Sequence, residues 1–205
     1  MKITRTANAG VLLETDGLSI LLDGVCKELS PYEGTPQDIK DKLSLQFPDV
    51  VMFTHYHDDH YDEDFSKDYT KKTLRSVYGP EFPLYGKMGN VKIKGIATRH
   101  IGKTDVIHVS YVIDGEKCVW FMGDASPLDA RGITEKSPDI IIVPYAYVTT
   151  KSSWEFTKFL GCEKIILLHM PPKENDPHGL WAVLENTVGD MNNLTILNMG
   201  ESIDV

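Results

Sequence analysis

Four successive apolar residues, Val50-Val51-Met52-Phe53, run into His55-Tyr56-His57-Asp58-Asp59-His60, and this junction constrains the fold more than any other segment. A strand that is apolar at consecutive positions is covered on both faces, so the chain must build layers on either side of it. Three of the seven histidines in the chain lie within six residues at the end of that strand. Side chains two apart in extended backbone share a side, so His55 and His57 can share a metal ion. Asp59 and His60 come where the chain is expected to turn into a helix, and they can reach a second ion. Imidazoles with a carboxylate suit zinc, while iron or manganese are alternatives because these ligands select weakly among first-row metals.

Further segments repeat the layered pattern. Val11 to Glu14 and Leu18 to Leu22 flank Thr15-Asp16-Gly17, a hairpin signal, and a second such turn sits at Asp114-Gly115. Ile39, Leu43 and Phe47 are spaced for a helix over Gln37 to Phe47, closed by Pro48. Strands are predicted at Arg75 to Tyr78, Val91 to Arg99, Val106 to Ile113, Cys118 to Met122, Ile140 to Val143, Lys164 to Leu168 and Leu194 to Leu197. Helices are predicted at Ser152 to Leu160 and Gly179 to Val188, and the acidic run Asp62-Glu63-Asp64 is expected to open another, where it complements the helix dipole. Sheets with helices packed outside are the consistent architecture.

Composition removes several function classes. The net charge is -9, without the basic face that a duplex-binding protein presents, so no nucleic-acid partner is expected. Three cysteines without a CxxC spacing suggest neither a disulfide framework nor a thiolate zinc site. A cytoplasmic location is expected, because the short apolar run Ala9 to Leu13 falls below signal-peptide length. No membrane span is expected, since the longest apolar stretch, Ile140 to Val148, is about half of what a bilayer requires.

The segment from His55 to His60 resembles the His-X-His-X-Asp-His signature of the metallo-β-lactamase-fold hydrolases. The likeness requires three more ligands, each just past a strand, and His100, Asp124 and His169 stand at such places, so it extends from about Lys2 to Asn198. It implies a single domain over residues 1–205, folded as a four-layer αββα sandwich of two mixed sheets. It further implies two divalent metal ions, with zinc expected and manganese or iron(II) as alternatives. His55, His57 and His100 would hold the first, Asp59, His60 and His169 the second, and Asp124 would bridge them. The bridging carboxylate offsets repulsion between cations about 3.5 to 4 Å apart.

The implied activity is hydrolysis of an ester, lactone or phosphodiester of a small metabolite by a hydroxide held between the ions, with Asp59 as the catalytic residue handling its proton. The family's flavodiiron oxidoreductases carry glutamate where this chain has His57, which favours hydrolysis over di-iron redox chemistry. Short segments between His60 and His100, and between Asp124 and His169, leave no room for the inserted domain of RNA-processing members. A glyoxalase-II-like thioesterase is the chief alternative, and a non-enzymatic metal-binding module a more distant one. Beyond the ligands, Tyr147 or Tyr145 could donate to a developing oxyanion, and His178 lies close enough after His169 to contact substrate. His108 is expected on the half-exposed face of its strand. Oligomeric state has no signature in the sequence.

Overall fold

The computed structural model describes residues 1–103, 105–189 and 192–205. The first sheet begins with the antiparallel strands β1 (Lys2–Arg5), β2 (Val11–Thr15) and β3 (Leu18–Leu22). Helix α1 (Gln37–Leu45) then crosses to β4 (Val50–Met52), which pairs parallel to β3, and α2 (Glu63–Thr73) crosses to the short parallel β5 (Val77–Tyr78). The second sheet takes β6 (Tyr85–Met88), β7 (Val91–Ala97), β8 (Val109–Asp114) and β9 (Cys118–Phe121), each antiparallel to the one before. After α3 (Pro127–Ala130), three parallel strands follow: β10 (Ile140–Val143), β11 (Lys164–Leu167) and β12 (Leu194–Ile196). Helices α4 (Lys151–Phe159) and α5 (Leu180–Val188) connect them, and β13 (Ser202–Asp204) returns to the free edge of β1.

Alternation along the strands builds the layers. Val50 and Met52 enter a core shared with Val109, Phe121 and Ile142 of the second sheet, so that core lies between the sheets. Val51 and Phe53 enter a separate core with Ile39 and Leu43 of α1 and Phe65 and Tyr69 of α2. The outer face of the second sheet, through Ile141, Val143, Ile165 and Leu167, packs on Trp154 of α4 and Leu184 of α5. The result is the αββα sandwich of two mixed sheets, six and seven strands wide. Among the described residues no helix is long and apolar enough to cross a membrane.

The acidic run does open α2, where the Asp62 carboxylate caps the helix by accepting from the Phe65 N–H at 3.0 Å and binds Lys40 Nζ at 2.7 Å. The segment from Val106 differs from expectation. Strand β8 begins only at Val109, whose N–H donates to the Thr54 carbonyl, and His108 turns inward to 3% exposure instead of lying half-exposed. Strands β1, β6 and β13 carry no distinct periodic signal, and they form because a neighbouring strand offers an edge.

Candidate metal centre

Strand ends from both sheets deliver the polar side chains to one place. His55, His57, Asp59 and His60 follow β4, His100 follows β7, Asp124 follows β9 and His169 follows β11. Two of the sharp exits require unusual backbone. Gly123 has φ +53°, and a Cβ there would meet Thr54 Oγ1 at 2.5 Å, so the turn that presents Asp124 needs glycine. His169 itself is left-handed at φ 59°, a conformation that costs a non-glycine residue about 1 to 2 kcal/mol and persists only where the surroundings enforce it.

The side chains converge in three overlapping trios: His55, His57 and His100; Asp59, His60 and His169; and, behind them, Asp23, His55 and His60. Asp124 lies between the first two, with Oδ1 3.4 Å from His60 Nε2 and Oδ2 3.5 Å from both His100 Nε2 and His169 Nε2. His169 Nε2 also lies 3.1 Å from Asp59 Oδ2. All of these residues except His57 are buried.

Their protonation is set from behind. His60 Nδ1–H donates to Asp23 Oδ2 at 2.8 Å, and His100 Nδ1–H donates to the Ile101 carbonyl at 2.7 Å. The Thr54 hydroxyl is committed as donor to Asp23 at 2.6 Å, so it accepts from His55 Nδ1–H at 3.0 Å. Each of these three rings thereby turns its Nε2 toward the cluster; His55 does so neutral, whereas the Asp124 and Asp23 carboxylates outweigh burial and raise the His60 pKa well above its usual value, so a cation bound there would displace the His60 Nε2 proton. Such carboxylate or carbonyl backing is what orients metal-ligating imidazoles.

The cluster fits a pair of cations. His60 Nε2, His100 Nε2, His169 Nε2 and Asp124 Oδ1 are buried without a hydrogen-bond partner, although polar atoms of the facing residues stand 3.1 to 3.5 Å away. Two ligands on one tetrahedral zinc, each about 2.0 to 2.1 Å from it, lie roughly 3.3 Å apart. Electrostatics agree with this geometry. Burial keeps His55 neutral by pushing its pKa far down, with the neighbouring His60 adding to the effect. Burial alone would raise the Asp124 pKa, but the imidazoles of His169 and His60 outweigh it and hold this carboxyl well below its usual range. Two buried carboxylates held below their usual pKa range, Asp59 and Asp124, thus create a local demand for positive charge, whereas burial raises the pKa of Asp23 behind them.

Two members of this arrangement were not expected at the centre, Asp23 and the strand residue His108. Asp23 is fully buried at the end of β3, left-handed at φ 46°, and accepts from the Thr54 N–H and hydroxyl as well as from His60. Its signal was a carboxylate just past an apolar strand, as at Asp124. His108 accepts the Asp124 N–H at Nε2 (3.0 Å), so its Nδ1–H donates to Thr98 Oγ1 at 2.8 Å. The relay continues from Thr98 to Ser110 and from Ser110 to the Met122 carbonyl. Burial pushes the His108 pKa down to about 3, which keeps the accepting nitrogen unprotonated.

Of the residues expected to touch substrate, Tyr147 is wholly buried in the core beneath α4 and its hydroxyl has no partner. His178 is exposed in the loop before α5. The ring of Tyr145 instead meets His169 edge-on at 5.8 Å, and Tyr32, which the sequence analysis did not single out, does so at 4.3 Å.

Residues 2–160 match the family model described as a beta-lactamase superfamily domain. Among solved structures, an isothiocyanate hydrolase from Delia radicum gut bacteria is 17% identical with a TM-score of 0.70, covering 100% of this chain and 99% of that one. A possible metal-dependent hydrolase from Veillonella parvula is 14% identical with a TM-score of 0.74, covering 100% and 99%. A diiron β-hydroxylase from Streptomyces venezuelae is 12% identical with a TM-score of 0.63, covering 100% of this chain and 54% of that one. Likeness at these identities is likeness of fold. The comparison with curated proteins finds no match.

Proposed function

The chain belongs to the β-lactamase superfamily and is a metal-dependent hydrolase of that fold, and we propose that it cleaves an ester, lactone or phosphodiester of a small molecule using two divalent cations, zinc in the first instance. His55, His57 and His100 would hold one cation, Asp59, His60 and His169 the other, with Asp124 shared. The observation that carries this reading is the set of buried, unpartnered imidazole nitrogens gathered around the Asp124 carboxylate. When bound, such cations supply Lewis acidity and bring the pKa of water to about 7.

The chain's own residues supply orientation and proton handling. Burial would raise the Asp59 pKa, but the His169 imidazole 3.1 Å away and the charge of His60 outweigh it and lower it. Asp59 is therefore ionised at neutral pH, and the oxygen not turned to His169 can take a proton from the attacking water. Tyr32 and Tyr145 flank His169, and burial, reinforced by the nearby Asp124 and Asp59 carboxylates, pushes both phenols upward. They stay protonated and can donate to charge that develops on the substrate.

A cytoplasmic location is part of the proposal and rests on three cysteines that are free and buried. Elemental analysis of the purified protein, paired with a panel of lactones, esters, thioesters and bis(p-nitrophenyl) phosphate, tests the assignment. Two equivalents of metal and turnover that Asp59→Ala reduces at least a hundredfold are expected. Thioesters as the sole substrates would move the reading to a glyoxalase-II-like enzyme. Iron with oxygen consumption and no hydrolysis would replace it with the di-iron alternative.

A further inference from the structure

Two phenols from unrelated parts of the chain converge on the His169 ring, Tyr32 with centroids 4.3 Å apart and Tyr145 at 5.8 Å. Backbone contacts hold each in place. Tyr32 belongs to a loop whose neck is closed by the Cys26 N–H donating to Thr35 Oγ1 (3.0 Å) and the Thr35 N–H donating to the Cys26 carbonyl (3.1 Å). Within the loop Tyr32 and Leu29 exchange two backbone hydrogen bonds, of 2.9 and 3.1 Å. The Lys27 N–H then ties it to the Asp58 carbonyl at 2.7 Å, inside the metal-binding motif. Tyr145 opens the 3-10 turn Tyr145–Tyr147 that follows β10. Both residues are half-buried, and among the described residues neither hydroxyl has a hydrogen-bond partner. The Tyr147 hydroxyl also lacks one but is enclosed by protein, whereas these two are open to solvent.

The charge around this pair is one-sided. Burial, then Tyr145 and the carboxylates of Asp124, Asp59 and Asp176, keep the proton on Tyr32, and burial with Asp124 and Asp59 keeps that of Tyr145. The surrounding cations are engaged elsewhere. Lys27 pairs with Asp58 at 3.8 Å, and Arg99 holds Asp129 through Nε (2.9 Å) and Nη2 (2.6 Å). Arg5 donates to three backbone carbonyls, and the charge of exposed Lys103 acts on His57 of the other trio. Attack by water on a carboxylic ester puts one negative charge on a neutral group. Attack on a phosphodiester adds it to a group already anionic, an excess that phosphoryl-transfer sites meet with Arg or Lys clamps. Two neutral donors match the first case, since a carbonyl oxygen has two lone pairs to receive them. Leu29, 44% exposed and paired with Tyr32 across the loop, adds apolar surface beside the donors.

We propose that Tyr32 and Tyr145 together bind the carbonyl oxygen of an uncharged substrate, which makes the enzyme selective for carboxylic esters and lactones with an apolar acyl chain over phosphodiesters. The inference rests on the hydrolytic reading and narrows it. In the cleavage the water oxygen bonds to the acyl carbon, and the acyl C–O bond breaks with its electron pair going to the leaving oxygen. The proton that Asp59 takes from water ends on that oxygen.

The test uses zinc-loaded full-length protein with a 13Cζ label in Tyr32 or Tyr145 alone. It is titrated with N-methylpyrrolidinone, an uncleaved stand-in for a lactone, and separately with dimethyl phosphate. The lactam is expected to shift both tyrosine signals saturably, and dimethyl phosphate to leave them in place. Tyr32→Phe and Tyr145→Phe should each bind the lactam about tenfold more weakly, the effect of one lost donor. Their kcat/KM for γ-butyrolactone should fall by a similar factor, while the slow cleavage of bis(p-nitrophenyl) phosphate stays as it was. Signals in the unmodified protein that ignore the lactam, or that answer dimethyl phosphate equally, overturn the paired-donor site even if a variant fails to fold. Diester turnover with neither phenol engaged removes that site and leaves the hydrolase. Lactam binding at both phenols without turnover of any ester, lactone or diester supports the site and removes the hydrolytic assignment.

Discussion

Replacing Asp23 by Asn perturbs the centre without touching a proposed ligand. The carboxylate receives three hydrogen bonds within the fully buried space between β3 and β4: Thr54 N–H at 2.7 Å, Thr54 Oγ1–H at 2.6 Å and His60 Nδ1–H at 2.8 Å. An amide of the same size has one acceptor oxygen and a donating NH2, so at least one of these three donors must face another donor. A hydrogen bond to a charged group contributes about 1.5 to 3 kcal/mol, and a stranded buried donor costs a similar amount, so a stability loss of about 2 to 4 kcal/mol is expected. If the NH2 turns to His60, the ring must accept at Nδ1 and carry its proton on Nε2, which blocks the nitrogen facing Asp124. Loss of such a backing group typically lowers metal affinity 10- to 100-fold, or about 1.4 to 2.7 kcal/mol. Competition with a zinc chelator measures this directly, and 15N chemical shifts of the His60 ring report the tautomer. Zinc affinity within threefold of the unmodified protein, with His60 still protonated at Nδ1, would refute the orienting role of Asp23.

Two further outcomes follow from the same geometry. His108→Phe keeps the volume but leaves the Asp124 N–H and the Thr98 hydroxyl without their partner, so thermal unfolding should report a loss of about 1 to 3 kcal/mol, and an unchanged Tm would remove the relay. Asp62 has its pKa lowered, because the bonds from Lys40 and the Phe65 N–H outweigh burial. Its contribution is therefore complete above the ordinary value of 3.8 and is lost as pH falls through the lowered one. Asp62→Asn keeps a cap but loses the ion pair, so its stability deficit, about 1 kcal/mol in urea unfolding at pH 6, should shrink as the pH is taken below that value. A deficit that grows on acidification would show that the sign is wrong.

Much of this protein is legible along the chain because its signals are local. The run Val50 to Phe53 fixes a strand with both faces covered, and Thr15-Asp16-Gly17 turns β2 into β3. The strand ends carry His55, His100, Asp124 and His169 to the cluster because an apolar strand followed by a polar residue marks the edge of a sheet wherever it occurs. Three-dimensional contact alone defines the rest. Asp23 and His60 are 37 residues apart, and the pairing of His108 with Asp124 spans 16, so although Asp23 stands just past an apolar strand, no local pattern says which side chain either residue meets. Tyr147 and Tyr145 differ only in which way a short 3-10 turn points them, one into the core and the other toward His169. Periodicity and chain order settle which residues arrive at an edge, whereas the hydrogen bonds each arrival makes or lacks depend on what the other strands bring there.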